Sequence, residues 1–147
     1  MMQFIIYGNP ITKKNARPIY IKADGKRFIG KSKALADYEA DILIQLIQQK
    51  QELKKEGLFA AAISTRCCIK YSVYLNSKRL RDCTNIVEAA QDALVKAGII
   101  TDDNYTILNP VIILVNTGRA FNAHIMIDLI PYQEYINQFV SSKSLPI

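Results

Sequence analysis

Acidic residues surround one predicted helix in the middle of this 147-residue chain. Asp82 precedes the helix, and Glu88 and Asp92 lie along its polar face. Asp102 and Asp103 follow shortly after its end. Carboxylates brought together bind a hard divalent cation, and Mg²⁺ typically takes one or two of them and fills its other positions with water and phosphate oxygens. The pattern therefore predicts a Mg²⁺ site built from these side chains.

The same residues also have a structural interpretation. Asn85 and Glu88 have the spacing of a capping box, in which Asn85 caps the helix and Glu88 reaches back to it. Asp82 would then favour the positive end of the helix, and residues 102–104 would form an ordinary turn. The residues alone leave both interpretations open.

Positive charge is concentrated near the start of the chain. The whole chain has 19 Lys and Arg against 13 Asp and Glu, a net charge of +6. Residues 1–33 contain eight basic residues and one acidic residue, with Lys13, Lys14 and Arg17 in one polar stretch. Solvated faces usually mix charges of both signs, so this basic arm predicts a polyanionic partner such as nucleic acid. A basic loop without a partner is the alternative.

A second basic group, Lys78, Arg79 and Arg81, stands directly before Asp82. Basic side chains that hold a phosphate backbone, next to acids that hold a metal, are the two parts of metal-assisted phosphodiester hydrolysis. We therefore expect both basic groups to bind the backbone of a nucleic acid, with little readout of its bases.

The composition argues against several classes of protein. Half of the residues are apolar and 22% are charged, as in a globular domain, and we expect one domain over 1–147 with a flexible tail at 141–147. No apolar run approaches the ~18 residues of a membrane span, so no membrane association is expected. Three cysteines without CxxC spacing argue against a disulfide framework and suit a reducing cytoplasm. The single histidine, His124, is expected to be structural rather than a zinc ligand.

Hydrophobic periodicity predicts an α+β domain with a mixed β-sheet. Strands are expected over Gln3–Tyr7, Ile19–Lys22, Arg27–Ile29, Cys67–Leu75, Pro110–Val115 and Phe121–Ile130. Helices are expected from Ser32 to Gly57, over Ile86–Ala97 with Gly98 after it, and over Tyr132–Val140. The long first helix and the shorter second helix, which carries the acidic residues, are the main helical elements.

Residues 81–85 read Arg-Asp-Cys-Thr-Asn, residues 89–98 read Ala-Ala-Gln-Asp-Ala-Leu-Val-Lys-Ala-Gly, and two aspartates follow at 102–103. This run resembles the core motif of the RusA family of Holliday junction resolvases, which are small endonucleases of bacteria and their prophages. Residues 7–18 are similar to the family's opening strand and basic loop, and residues 38–39 stand where phage members begin their first long helix.

The resemblance implies specific roles for acidic residues. Asp82 corresponds to the family's first catalytic aspartate and Asp103 to its last, with Asp102 beside it. Asn85 and Asp92 match motif positions of the intervening helix.

Two positions depart from the family's pattern. The middle catalytic aspartate is replaced by Thr84, which cannot serve as a carboxylate ligand, and a helix lysine associated with catalysis is replaced by Glu88. Our hypothesis is that Glu88 takes over from the missing carboxylate, directly or through water. The competing hypothesis is that the exchange leaves a weak or inactive nuclease.

The spacing of the acids raises a geometric problem. A helix of ~12 residues is ~18 Å long, so Asp103 approaches Asp82 only if residues 98–103 fold back along the helix. Alternatively, the acids converge across a subunit interface. Family members are dimers, and symmetrical cutting of a four-way junction calls for two sites related by a two-fold axis, so we expect a homodimer.

Together, these features predict a Mg²⁺-dependent endodeoxyribonuclease that resolves four-way junctions in DNA recombination and repair. Mn²⁺ is the alternative metal, the cytoplasm the expected location, and a prophage the expected origin. A second hypothesis is a non-catalytic protein that binds junctions or other DNA on the same scaffold, which Thr84 favours. A third is an unrelated domain whose basic arm binds RNA or an acidic protein.

Overall fold

The computed structural model describes residues 1–12, 19–118 and 122–140, and it has the predicted α+β architecture. The strands are β1 (Met2–Tyr7), β2 (Ile19–Ile21), β3 (Arg27–Ile29), β4 (Cys67–Leu75), β5 (Leu108–Thr117) and β6 (His124–Pro131). The helices are α1 (Lys33–Lys55), α2 (Cys83–Lys96) and α3 (Tyr132–Tyr135), which continues as a π-helical turn over Ile136–Val140.

Four of the strands form a mixed sheet in the order β1-β6-β4-β5. β6 runs antiparallel to β1 and β4, whereas β4 and β5 are parallel neighbours. Parallel neighbours need a crossover connection, which α2 provides. The chain therefore leaves the sheet at the end of β4, returns along α2 and re-enters the sheet at the start of β5. The residue before α2 is thus near one end of this strand pair, and the residues after β5 begins are at the other end.

β5 is longer than predicted by two residues at each end. Its register with β4 runs from Cys67 opposite Leu108 to Leu75 opposite Thr117. The ends of β5 are set by its pairing with the nine-residue strand β4, and the local sequence of β5 does not indicate where that pairing stops. The beginning predicted for β6, Phe121, lies outside the described residues.

The first helix has the predicted boundaries. The Ser32 hydroxyl accepts a hydrogen bond from Leu35 N at 3.1 Å, which caps its start. The predicted apolar stripe faces the core, where Leu35, Tyr38, Ile42 and Leu46 are buried. Gly57 has φ +73°, a conformation that favours glycine and lets the chain leave the helix.

β4 forms the centre of the core. Ile69, Tyr71 and Val73 are fully buried on the face that meets the helices. Cys68, expected on the more exposed face, is buried as well. α3 contacts β4, and the Cys68 partner in β6, Ile130, is also buried, so this end of the outer face is covered.

The β1 edge of the sheet is closed by two glutamine side chains of α1. The Gln49 carboxamide accepts a hydrogen bond from Ile5 N at 2.8 Å and donates one to Ile5 O at 2.6 Å. Gln45 makes the same pair of bonds with Tyr7, at 2.8 and 2.9 Å. Each carboxamide thus satisfies two backbone groups that an edge strand otherwise presents to solvent.

β2 and β3 form the predicted antiparallel hairpin, with Ile19 opposite Ile29. Among the described segments, no helix combines the length and hydropathy needed to cross a membrane.

Candidate metal centre and nucleic-acid interface

Asp82 occupies the N-cap position of α2, three residues earlier than the predicted cap, Asn85. Its backbone is extended (φ −68°, ψ 128°), and its carboxylate makes no capping bond to the helix. Asn85 Nδ2 instead donates to Asp82 Oδ2 at 3.2 Å. The capping-box interpretation is therefore wrong, because Asn85 lies inside the helix. Asp82 is exposed and keeps most of its oxygen lone pairs available to a ligand.

The two positions that depart from the family motif are both exposed on α2. Thr84 lies in the first turn, close to Asp82 along the chain, and Glu88 lies one turn further along. The structure thus leaves Glu88 accessible to solvent, as a carboxylate must be to act directly or through water.

Asp92 is half-buried rather than fully exposed. It lines a groove of about 310 Å³ between α1 and α2, together with Lys31, Glu39 and Lys96. Both signs of charge are present in this groove.

Asp102 and Asp103 follow α2 in an irregular segment. Asp102 Oδ1 accepts a hydrogen bond from Asp103 N at 2.7 Å, and the Asp103 side chain is partly buried. The turn comes one step later than predicted, over residues 105–107, and Asn104 Oδ1 stabilises it by accepting a hydrogen bond from Thr106 N at 2.9 Å.

Tyr71 joins β4 to the second half of α2. Its fully buried hydroxyl donates to Gln91 Oε1 at 2.9 Å. Burial above all, followed by the negative charges of Asp103, Cys67 and Asp92, raises the pKa of Tyr71 well above its usual value. Asp103 and Asp92 therefore both act on a hydroxyl beside the second half of α2.

Within residues 1–12, 19–118 and 122–140, no three His, Cys, Asp or Glu side chains are grouped to hold a metal ion. The carboxylate oxygens of Asp82 and Asp103 are the donor type that a hard cation such as Mg²⁺ prefers, and Mg²⁺ typically takes only one or two protein carboxylates. The donor chemistry of these residues therefore fits such a cation.

The second basic group lies beside the loop that leads into the basic arm. Arg81 Nη1 donates to Pro10 O at 2.9 Å, and the charge of Arg81 also acts on buried Tyr38. The pKa of Tyr38 is raised, chiefly by burial and then by Asp41, while Arg81 opposes this shift. Arg81 thus joins the loop before α2 to the loop after β1.

These two loops border a cleft of about 420 Å³, called here the loop cleft. Its lining comprises Asn9, Pro10, Ile11, Thr12, Asn76, Ser77, Arg79, Leu80 and Arg81. Lys78 and Arg79 are exposed. Lys13, Lys14 and Arg17 lie outside the described residues, but the arm that contains them continues directly from the loop cleft at Thr12.

His124 has the contacts of a structural residue. Its ring stacks on Tyr74 with centroids 4.5 Å apart, and Tyr7 lies 5.7 Å away on the same sheet face. Its Nδ1 lies 2.6 Å from Asn122 O.

Comparison with protein families matches residues 8–127, most of the chain, to Endodeoxyribonuclease RusA. The chain belongs to the RusA family. This confirms the family predicted from residues 81–103. A comparison with curated proteins gave no match. RusA membership implies endodeoxyribonuclease activity in general, and RusA resolvases generally depend on a divalent metal and act on branched DNA.

Sequence reasoning missed two contacts that position the RusA motif. The Arg81–Pro10 bond joins residues 71 positions apart, and the Tyr71–Gln91 bond joins residues 20 apart. No pattern of neighbouring residues predicts either bond. A tyrosine in the middle of a buried strand does indicate that its hydroxyl needs a polar partner, but it does not indicate which one.

Proposed function

We propose that this protein is a Mg²⁺-dependent endodeoxyribonuclease that resolves four-way DNA junctions, acting in the cytoplasm in recombination and repair and encoded by a prophage. The observation that carries the proposal is the RusA match over residues 8–127. The exposed Asp82, standing directly after the basic residues of the loop cleft, supports it.

Each group of residues has a role in this proposal. Asp82 and Asp103 hold the divalent cation, and Asp102 and Glu88 assist them. The bound cation supplies activation of the attacking water and neutralises charge on the scissile phosphate. Lys78, Arg79 and the basic arm hold the DNA backbone, while Arg81 fixes the loop that precedes Asp82.

Cleavage of a labelled four-way junction tests the proposal. We expect paired cuts near the branch point with Mg²⁺ or Mn²⁺ and none with EDTA. Asp82→Asn keeps the shape and the Asn85 contact but removes the charge, so it should bind the junction and cleave at least about 100-fold more slowly. Equal cleavage by Asp82→Asn and the wild type would contradict the assignment.

A second candidate function is junction binding without catalysis, favoured by Thr84 in place of a catalytic aspartate. It predicts tight, junction-selective binding with no cleavage in either metal. Equal affinity for junction, duplex and RNA would instead favour the third hypothesis, an unrelated nucleic-acid or acidic-protein partner.

A further inference from the structure

Three rings form a row across one face of the four-stranded sheet, called here the ring stack. Tyr7, His124 and Tyr74 lie opposite one another in register on the neighbouring strands β1, β6 and β4. The rings of His124 and Tyr74 are nearly parallel, at 11° with centroids 4.5 Å apart. The Tyr7 ring follows on the other side of His124, at 5.7 Å and 37°. The ring stack is therefore built at the spacing of neighbouring strands.

The core of the protein holds the ring stack in place. Ile6, Val73 and Ile125, the neighbours of the three rings along their strands, are buried on the opposite face of the sheet. Gly8 N donates to Ala123 O at 2.9 Å, so the backbone pairing continues beyond Tyr7 and His124. A ligand of the ring stack therefore meets rings that are already ordered, and the protein loses little conformational freedom on binding it.

The ring stack is open to solvent at Tyr7. This side chain belongs to the edge strand and is 57% exposed, whereas His124 and Tyr74 are half-buried. The hydrogen bonds from Gln45 cover only the backbone of Tyr7 and leave its ring exposed. A further planar ring can therefore extend the row by offset stacking on Tyr7.

The ring stack lies at the end of the sheet where the loop cleft begins. Asn9 and Asn76 line this cleft, and they come two residues after Tyr7 and Tyr74. The cleft also carries the exposed Arg79. Cationic side chains that follow a phosphate backbone, next to rings on which bases stack, are the two parts of a surface that binds single-stranded nucleic acid. The charge beside the ring stack therefore favours a nucleic-acid ligand.

We propose that the exposed ring of Tyr7 stacks on an unpaired base at the branch point of a DNA substrate, while the loop cleft holds the adjoining backbone. The identity of the substrate rests on the proposed function. In a duplex each base is stacked between its neighbours, and taking a base out of the stack costs least where it is unpaired. Stacking on Tyr7 therefore favours branched or single-stranded DNA over a continuous duplex.

Binding of a labelled oligothymidine strand in EDTA tests the stacking independently of cleavage. We expect Tyr7→Leu to bind this strand at least about 5-fold more weakly than the wild type and to bind a fully paired duplex equally well. Tyr7→Phe keeps the ring and should bind both like the wild type. Phe139→Leu is the matched control, since Phe139 is 47% exposed and stacks on Tyr135 beyond the other end of β6; it should change neither affinity. Equal affinity of Tyr7→Leu and the wild type for the single strand overturns the proposal.

Photo-cross-linking of the unchanged protein keeps the proposal testable if Tyr7→Leu does not fold. A single strand that carries 5-iodouracil, which forms adducts with aromatic rings stacked on it, should give an adduct on Tyr7 in mass spectrometry. An adduct confined to residues outside the ring stack overturns the proposal. A change in the oligomeric state of Tyr7→Leu without a change in its affinity for the single strand also overturns it, because this result assigns the ring stack to a protein partner.

The proposal and the proposed function fail separately. If the wild type cleaves the four-way junction but Tyr7→Leu binds the single strand normally, the stacking is wrong and the proposed function stands. If the wild type does not cleave but its affinity for the single strand depends on Tyr7, the proposed function fails and the stacking stands.

Discussion

At the residue scale, the proposed function gives Glu88 a part in metal binding, because the resemblance to the RusA motif places a lysine at this position and an aspartate at Thr84. Its exposure on the second turn of α2 leaves the carboxylate accessible to water. Our hypothesis is that a negative charge at Glu88 offsets the one that is missing at Thr84, which a lysine would not do.

We predict that Glu88→Gln lowers Mg²⁺-dependent cleavage by about 100-fold, because the isosteric amide loses the charge that holds the metal or its water. Junction affinity without metal should not fall. Single-turnover cleavage and a binding titration measure the two effects. Glu52→Gln, on the exposed surface of α1, is the control. Full activity of Glu88→Gln would refute the compensation.

Tyr71 gives a second prediction at the residue scale. Tyr71→Phe removes the hydroxyl that donates to Gln91, so we expect a loss of about 1 kcal/mol in the free energy of unfolding at pH 7. Because the pKa of Tyr71 is raised in the folded state, its contribution is present below pH 10 and is lost as the pH rises above the unfolded value. The deficit of the variant should therefore narrow above pH 10.

Urea unfolding between pH 7 and pH 11 measures this effect. Tyr105→Phe is the control, since Tyr105 is 78% exposed and should change stability little at either pH. A deficit of Tyr71→Phe that stays constant up to pH 11 would contradict the assignment of the raised pKa.

At the scale of elements, α1 does more than cover the sheet. Its Ser32 cap and apolar stripe follow from local sequence, but its glutamines also replace a strand along the β1 edge. Gln45 and Gln49 are one turn apart on the helix, and the backbone groups that they bind belong to Ile5 and Tyr7, two residues apart on the strand. Because the spacing of the two glutamines along the helix matches the spacing of Ile5 and Tyr7 along the strand, one helix closes this edge of the sheet.

We predict that Gln49→Ala lowers the free energy of unfolding by about 1–3 kcal/mol, because it leaves the partly buried N–H and C=O of Ile5 without partners. Gln48→Ala is the matched control: it is the neighbouring exposed position, with the same gain in helix propensity. Urea denaturation measures both. Equal stability of the two variants would show that the edge bonds contribute nothing.

At the scale of the whole molecule, positive charge is concentrated in loops rather than on the β5 edge of the sheet. The basic arm continues from the loop cleft, where Arg79 and Arg81 lie, while β5 is uncharged. The surface that we propose to hold DNA is therefore distinct from the β5 strand.

We predict that replacing Lys13, Lys14 and Arg17 together by Gln weakens junction binding and lowers the slope of log K against log salt concentration by about 2–3, as fewer counterions are released. Binding titrations over a range of salt concentrations measure the slope. Lys54→Gln with Lys55→Gln is the control. These residues lie about 24 Å along α1 from Tyr38, the buried residue on which the charge of Arg81 acts, and so they lie far from the loop cleft. An unchanged slope in the triple variant would show that the arm does not contact phosphates.

The sequence by itself determined the elements and the family of this protein. Hydrophobic period, the Ser32 cap and the glycines at 57 and 98 are local signals, so α1, β4 and the end of α2 were predicted closely. The RusA motif likewise lies in consecutive residues. The start of α2 was placed three residues late because Asn85 and Glu88 form a convincing local cap, whereas the helix begins at Cys83.

Only the tertiary structure decided the order of the strands, the closure of the β1 edge by α1, and the contact between the loops before α2 and after β1. These features depend on contacts between residues far apart in the chain, such as Gln49 with Ile5 and Arg81 with Pro10. Such contacts form only when the apolar faces pack together. The residues around one partner therefore do not indicate which distant residue the other partner is.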